Sequence, residues 1–168
     1  MKKALLAATS MILIAASISG CFGQGKWYQS VIDYYGDGFA LNWENEGQLK
    51  NTVIGSEQKD PTIKFGYNII DLDGDGTDEI LIGIIDGSNQ TKITDVYVNR
   101  GDLGAYDVLH GSEGDYIYLC TGNILRVDSS YGNTTESEFL KYNSKDYSFT
   151  VVDGNMAAPK TVELTPFE

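Results

Sequence analysis

The stretch "IIDLDGDGTDEILIG", residues 69–83, places five carboxylates (Asp71, Asp73, Asp75, Asp78 and Glu79) in nine consecutive positions between two apolar runs. Asp71, Asp73 and Asp75 alternate, Gly76 follows, and Glu79 closes the set. Side chains spaced in this way can turn their oxygens toward one point, with Gly76 supplying a backbone bend that other residues resist. Like charges brought that close in a partly desolvated loop repel by several times thermal energy unless a cation lies among them. Oxygen donors without His or Cys select calcium over zinc or copper, and Mg2+ demands a stricter octahedron. The spacing therefore predicts a Ca2+ site held by Asp71, Asp73, Asp75 and Glu79, with Asp78 turned outward and adding only to the field. The plainer alternative is a solvated Asp-Gly hairpin turn.

Numbered as a twelve-position calcium loop, Asp71, Asp73 and Asp75 fall at positions 1, 3 and 5, Gly76 at 6, and Thr77 at 7, where a backbone carbonyl serves as ligand. Position 12 is Ile82 instead of a bidentate Glu, and strand-like runs flank the loop, so an EF-hand is not expected. The pattern D-x-D-x-D-G-x-x-(D/E) between two strands resembles the calcium hairpins of FG-GAP and integrin-type propeller repeats. A propeller needs several such blades and this chain has one such stretch, so the resemblance implies the ion site and not an integrin-like ligand surface.

The elements that must position this loop are mostly strands. "TIKFGYNIIDL", "EILIGII", "KITDVYVN", "AYDVLH", "DYIYLC", "NILRVD", "ESEFLKYN" and "YSFTVVD" are rich in Ile, Val, Tyr and Phe, and clusters of Gly, Asp, Asn or Ser separate them. The expected fold class is α+β, mainly β: an antiparallel β-meander with one or two short N-terminal helices. "EILIGII" lacks alternation and predicts a central strand covered on both faces, whereas "KITDVYVN" alternates and predicts one wetter face. "WYQSVIDYYGDG" has the apolar spacing of a short helix ended by Gly36, and "LNWENEGQLKNTVIG" predicts a second helical piece before Pro61. "DSSYGNTTESE", residues 128–138, reads as a long polar hairpin loop.

The chain begins "MKKALLAATSMILIAASISGC", a short basic region, an apolar run too short to span a membrane comfortably, then small residues. Ile18-Ser19-Gly20-Cys21 resembles the lipobox of bacterial lipoproteins, in which the cysteine carries a diacylglyceryl group and the peptide is cut just before it. An ordinary signal peptide cleaved near Gly20 would leave that cysteine incidental. The expected organisation is a signal peptide over 1–20, a lipidated tether over 21–26 and one domain over 27–168. Two acyl chains suffice for stable anchoring at the outer face of the cell membrane, or in the periplasm of a double-membraned cell. Without Lys2 and Lys3, the 12 basic residues become 10 against 24 acidic ones, a net charge of −14 that argues against a nucleic-acid partner. With Cys21 lipidated, Cys120 has no partner for a disulfide and is expected to be a buried, inert thiol.

A broader resemblance runs over most of residues 27–152. An aromatic N-terminal helix, "GYNIIDLDGDGTDEILIG", "ITDVYVNRGDLG" and "DYIYLCTGNILRVDSSYGNTTESEFLKYN" are similar, in that order, to a domain of exported lipoproteins of Gram-positive gut bacteria. That resemblance implies the fold and the location and supplies no substrate. No catalytic constellation stands out. His110, the only histidine, reads as a surface turn residue. "YGDGF", residues 35–39, is a turn or a weak second cation site. Trp27, Trp43 and Tyr131 are candidates for a glycan or peptide surface. The expected function is a calcium-bearing binding module for an extracellular protein or glycan. The alternatives are a hydrolase using Asp33, Asp37 or Glu79 near a bound ion, and a purely structural envelope protein.

Overall fold

The computed structural model describes residues 27–40, 53–57, 60, 62–112, 114–154 and 157–167. Nine antiparallel strands share one sheet: β1 (Lys64–Ile70), β2 (Glu79–Ile85), β3 (Lys92–Asn99), β4 (Ala105–His110), β5 (Asp115–Cys120), β6 (Ile124–Tyr131), β7 (Thr134–Asn143), β8 (Ser148–Val151) and β9 (Thr165–Pro166). The order is β8-β7-β6-β5-β3-β2-β1-β9. One edge of β3 is divided, its first two residues pairing with β5 and Asp95 to Asn99 pairing with β4. Two helices, α1 (Gln29–Ala40) and α2 (Val53–Glu57), precede the sheet in sequence. The fold is thus α+β and mainly β, with a meander at its centre.

β2 is the deepest strand, buried from Glu79 to Ile84 as its unbroken apolar run requires. Leu81 points into one core and Ile80, Ile82 and Ile84 into the other, the alternation of a strand covered on both faces. The second core takes Val31 and Tyr35 from α1, Val53 and Ile54 from α2, and Phe65 and Tyr97 from the sheet. The first gathers side chains from β2 through β7, including Leu81, Val96, Val108, Leu119, Leu125 and Leu140. Strands so far apart in the order share one core because the sheet bends and its β5–β8 half folds back over the other.

The wetter face expected of β3 is absent, since every residue from Ile93 to Val98 is buried. Its register explains this: Gly83 faces Ile93 while Ile82 faces Asp95, so Thr94 is an extra residue that reverses the inside–outside order. Ile93, Val96 and Val98 then share one core, and Tyr97 enters the other. The Thr94 hydroxyl donates to the carbonyl of Ile82 at 3.2 Å, which satisfies it in the interior.

α1 does not stop at Gly36 but continues through Gly38 to Ala40. Phe39 stacks on Phe65 at 4.6 Å and Tyr35 on Phe167 at 5.6 Å, and this packing outweighs the roughly 1 kcal/mol by which each glycine disfavours a helix. Of the second helical piece, residues 53–57 form α2; the rest lies outside the described residues. The 128–138 segment is no long loop: β6 and β7 pair through Tyr131 and Thr134, and Gly132 starts a two-residue turn at φ +63°. β9 has no counterpart in the sequence reading. It lies so close on β1 that a Cβ on Gly66 would sit 2.6 Å from the Thr165 carbonyl oxygen. Cys120 is buried at the end of β5, and burial raises its thiol, which keeps it protonated and inert.

Leu81→Ala should lower stability by about 2–5 kcal/mol, because the cavity opens in a core closed on all sides. Val151→Ala, at a side chain 62% exposed on the last long strand, should stay within about 0.5 kcal/mol. Urea unfolding midpoints of the two variants check this, and similar losses from both would contradict the placement of the core.

Candidate metal centre

The acidic loop joins β1 to β2, and Ile70 faces Glu79 across the last pair of the hairpin. Gly74 (φ +82°) and Gly76 (φ +87°) make the two left-handed bends that let the chain wrap its own carboxylates. Asp71 accepts from the backbone amides of Gly74 at 2.8 Å, Asp75 at 3.2 Å and Gly76 at 2.9 Å. Asp75 accepts from the Thr77 amide at 2.7 Å, and bonds from Ser144 and Thr77 hold its carboxyl below the usual range. Glu79 is only 2% exposed, and its Oε2 accepts from the Leu72 amide at 2.8 Å.

One oxygen each from Asp71, Asp73 and Glu79 lies within 4.8 Å of the other two. Oxygens around a shared Ca2+ at 2.3–2.6 Å lie at most about 5 Å apart, so this trio has the spacing a calcium ion accepts. Asp75 is not in the trio, and Thr77 and Asp78 are exposed. The structure thus brings together three of the four carboxylates that the spacing pointed to. Burial, and then the charges of Asp73, Asp75 and Asp71, push Glu79 up to about 7 against the opposing Leu72 bond. Holding a proton or a cation is the way such a group lowers the cost of its position.

Two contacts from distant turns reach the loop. Asn123, in the β5–β6 turn at φ +54°, donates its side-chain amide to the Asp71 carbonyl at 3.1 Å, and Lys160 Nζ donates to Asn123 Oδ1 at 3.1 Å. The backbone amide of Ser144, after β7, donates to Asp73 Oδ2 at 2.7 Å. The loop therefore fastens the two halves of the bent sheet together. A groove of about 490 Å³ lies beside it, lined in part by Asp73, Asp75, Tyr142, Ser144, Lys145 and Thr150. Burial, then the charges of Glu79 and Asp73, raise the Tyr142 hydroxyl well above its ordinary value.

The remaining candidates are scattered. Trp27 is half-buried, packs against the helix-side core and meets Tyr28 edge-on at 6.1 Å. Tyr131 ends β6 beside the tight turn. Cys21 and Trp43 lie outside the described residues. Asp33 and Asp37 are on the exposed side of α1, with Asp33 accepting from Gln29 at 2.7 Å, and they do not join Glu79. His110 is not a surface turn residue: it ends β4 half-buried, its Nδ1 3.6 Å from Asp107 Oδ2. Asn123 and Ser144 were missed because they lie 52 and 71 residues from their partners, in turns whose sequences carry no ligand pattern.

The chain matches no protein-family model, and no curated protein or solved structure is significantly similar to it. No helix among the described residues is long and apolar enough to cross a membrane.

Glu79→Gln should abolish any calcium-dependent rise in melting temperature, since it keeps the shape and removes the charge. The same change should raise the metal-free midpoint at pH 8, where the ionised side chain is a cost to the fold. Asp78→Ala should leave the calcium response almost intact. Equal losses from the two variants would show that the trio is misassigned.

Proposed function

We propose that this protein is a lipid-anchored cell-envelope protein whose 71–79 loop holds a structural Ca2+, and that it binds an extracellular protein or glycan. The observation that carries the ion reading is the convergence of Asp71, Asp73 and Glu79 within 4.8 Å, with Glu79 buried. Asp75 and the Thr77 carbonyl are the candidates to complete the shell on the outer side. The anchor rests on Ile18-Ser19-Gly20-Cys21 and on the likeness of most of residues 27–152 to a domain of exported lipoproteins. Binding is favoured over hydrolysis because Asp33 and Asp37 lie on α1 away from the trio, Glu79 is buried and bonded to the Leu72 amide, and the groove beside the loop offers a surface whose shape depends on the loop.

A thermal melt of the full chain in EDTA and across a calcium series tests the reading. Calcium at about 100 times its dissociation constant adds about 2.7 kcal/mol, which raises the midpoint by roughly 5–10 °C for a chain this size. A rise that saturates at or below ~1 mM, weaker with Mg2+, is the expected result. No rise up to ~10 mM would refute the calcium site.

A further inference from the structure

A second polar cluster lies on the other face of the sheet, under α1, and the calcium site does not use it. Asp95 of β3 is 7% exposed, and its Oδ2 has no hydrogen-bond partner. Its cross-strand partner is His110, and Asp107 faces Tyr97 on the same pair of strands. A register shift at Val108 lets Asp107 and His110, three residues apart, share this face at 3.6 Å. From above, Tyr35 of α1 shares a hydrogen bond with Tyr97 at 3.1 Å between the two hydroxyls.

We propose that this cluster is a proton-operated latch for α1: protonated, it holds the helix on the sheet, and when it loses its protons it releases the helix. The titratable groups facing Asp95 are Tyr35 from α1, Tyr97 from its own strand, and Asp107 and His110 from β4, and the Tyr35 and Thr94 hydroxyls bond its carboxyl. β2 and α2 contribute Ile80, Ile82, Ile84, Val53 and Ile54 to this core, and the acid of α2, Glu57, accepts from the Tyr116 hydroxyl at 3.3 Å. Among the described ion pairs, none gives Asp95 a lysine or arginine. A neutral carboxyl fits such a place, whereas a charged one with an empty oxygen needs water, which the seated helix excludes.

Burial and then the Asp107 charge raise Asp95 to about 7, and the bond to Asp107 raises His110 above its ordinary value. Both groups hold protons more tightly in the folded chain, so both contribute stability at low pH and lose it as pH rises through their folded values. As Asp95 gains a negative charge and His110 loses a positive one, the patch changes by two charges in the same direction. α1 is the element that responds, because Tyr35 touches the cluster directly and Gly36 and Gly38 leave the helix dependent on its packing against the sheet.

Hydrogen exchange of the full chain, saturated with calcium and followed at pH 6.0 and 8.5 with intrinsic rates divided out, tests the latch. The protection of residues 32–40 should fall about tenfold or more at the higher pH while that of β2 holds. Asp95→Asn, neutral at both values, should keep the pH 6.0 protection of α1 at pH 8.5. Equal helix protection in the wild type at both values, or parallel loss in β2, would overturn the proposal. Should the variant not fold, carboxyl-carbon NMR of wild-type Asp95 replaces it. A midpoint coinciding with the loss of helix protection supports the latch, and titration below pH 5 refutes it.

Discussion

The buried carboxylate of Glu79 is the constraint around which the rest of this molecule is arranged. Glu79 opens the most deeply buried strand, so it cannot turn to solvent without moving β2. Its oxygens must find partners where they are. One takes the Leu72 amide, and the aspartates of the loop crowd the same place with like charge. A cation at the centre would reverse the sign of that interaction, turning the least comfortable point of the fold into a fastening. The loop reaches outward through Asp71 and Asp73 to the turns at Asn123 and Ser144. An ion that orders the loop would therefore act on the packing of both halves of the sheet.

The two faces of the sheet manage buried charge in different ways. On the loop side, acids are gathered in a connection where glycines permit tight wrapping and solvent is near, a setting suited to a hydrated divalent ion. On the helix side, Asp95 and Asp107 sit within strands, flanked by tyrosine hydroxyls and one imidazole, a setting suited to a proton. The strand irregularities make this division possible. Were Thr94 to take an ordinary place in the pleat instead of bulging, Asp95 and Tyr97 would exchange faces with Val96 and Val98, and the acid would enter the core of Leu81, Leu119 and Leu125.

What the sequence disclosed follows from the range of the interactions concerned. The acidic loop was legible because its carboxylates lie within nine residues, and β2 because a doubly covered strand needs few polar positions. The β-branched and aromatic runs marked the other long strands for the same local reason. β3 was misread because a bulge breaks the period on which alternation rests, and α1 because Phe39 gains its stability from Phe65 and Phe167, far away in sequence. The partners of the loop and the pairing of Asp95 with His110 depend on register and on the bend of the sheet, which no single stretch encodes. The short β9 has no hydrophobic run of its own, and its place is made by the missing side chain at Gly66.

The central claim is that an ion in the acidic loop secures the bent sheet as a whole. Residue-resolved hydrogen exchange with and without calcium measures it most directly. The account predicts that calcium slows exchange at Leu72 and Gly76 in the loop and also at Ser144 and along β6 and β7, which the loop reaches through Asn123 and Asp73. Protection confined to residues 71–79, with the β5–β8 half unchanged, would contradict it.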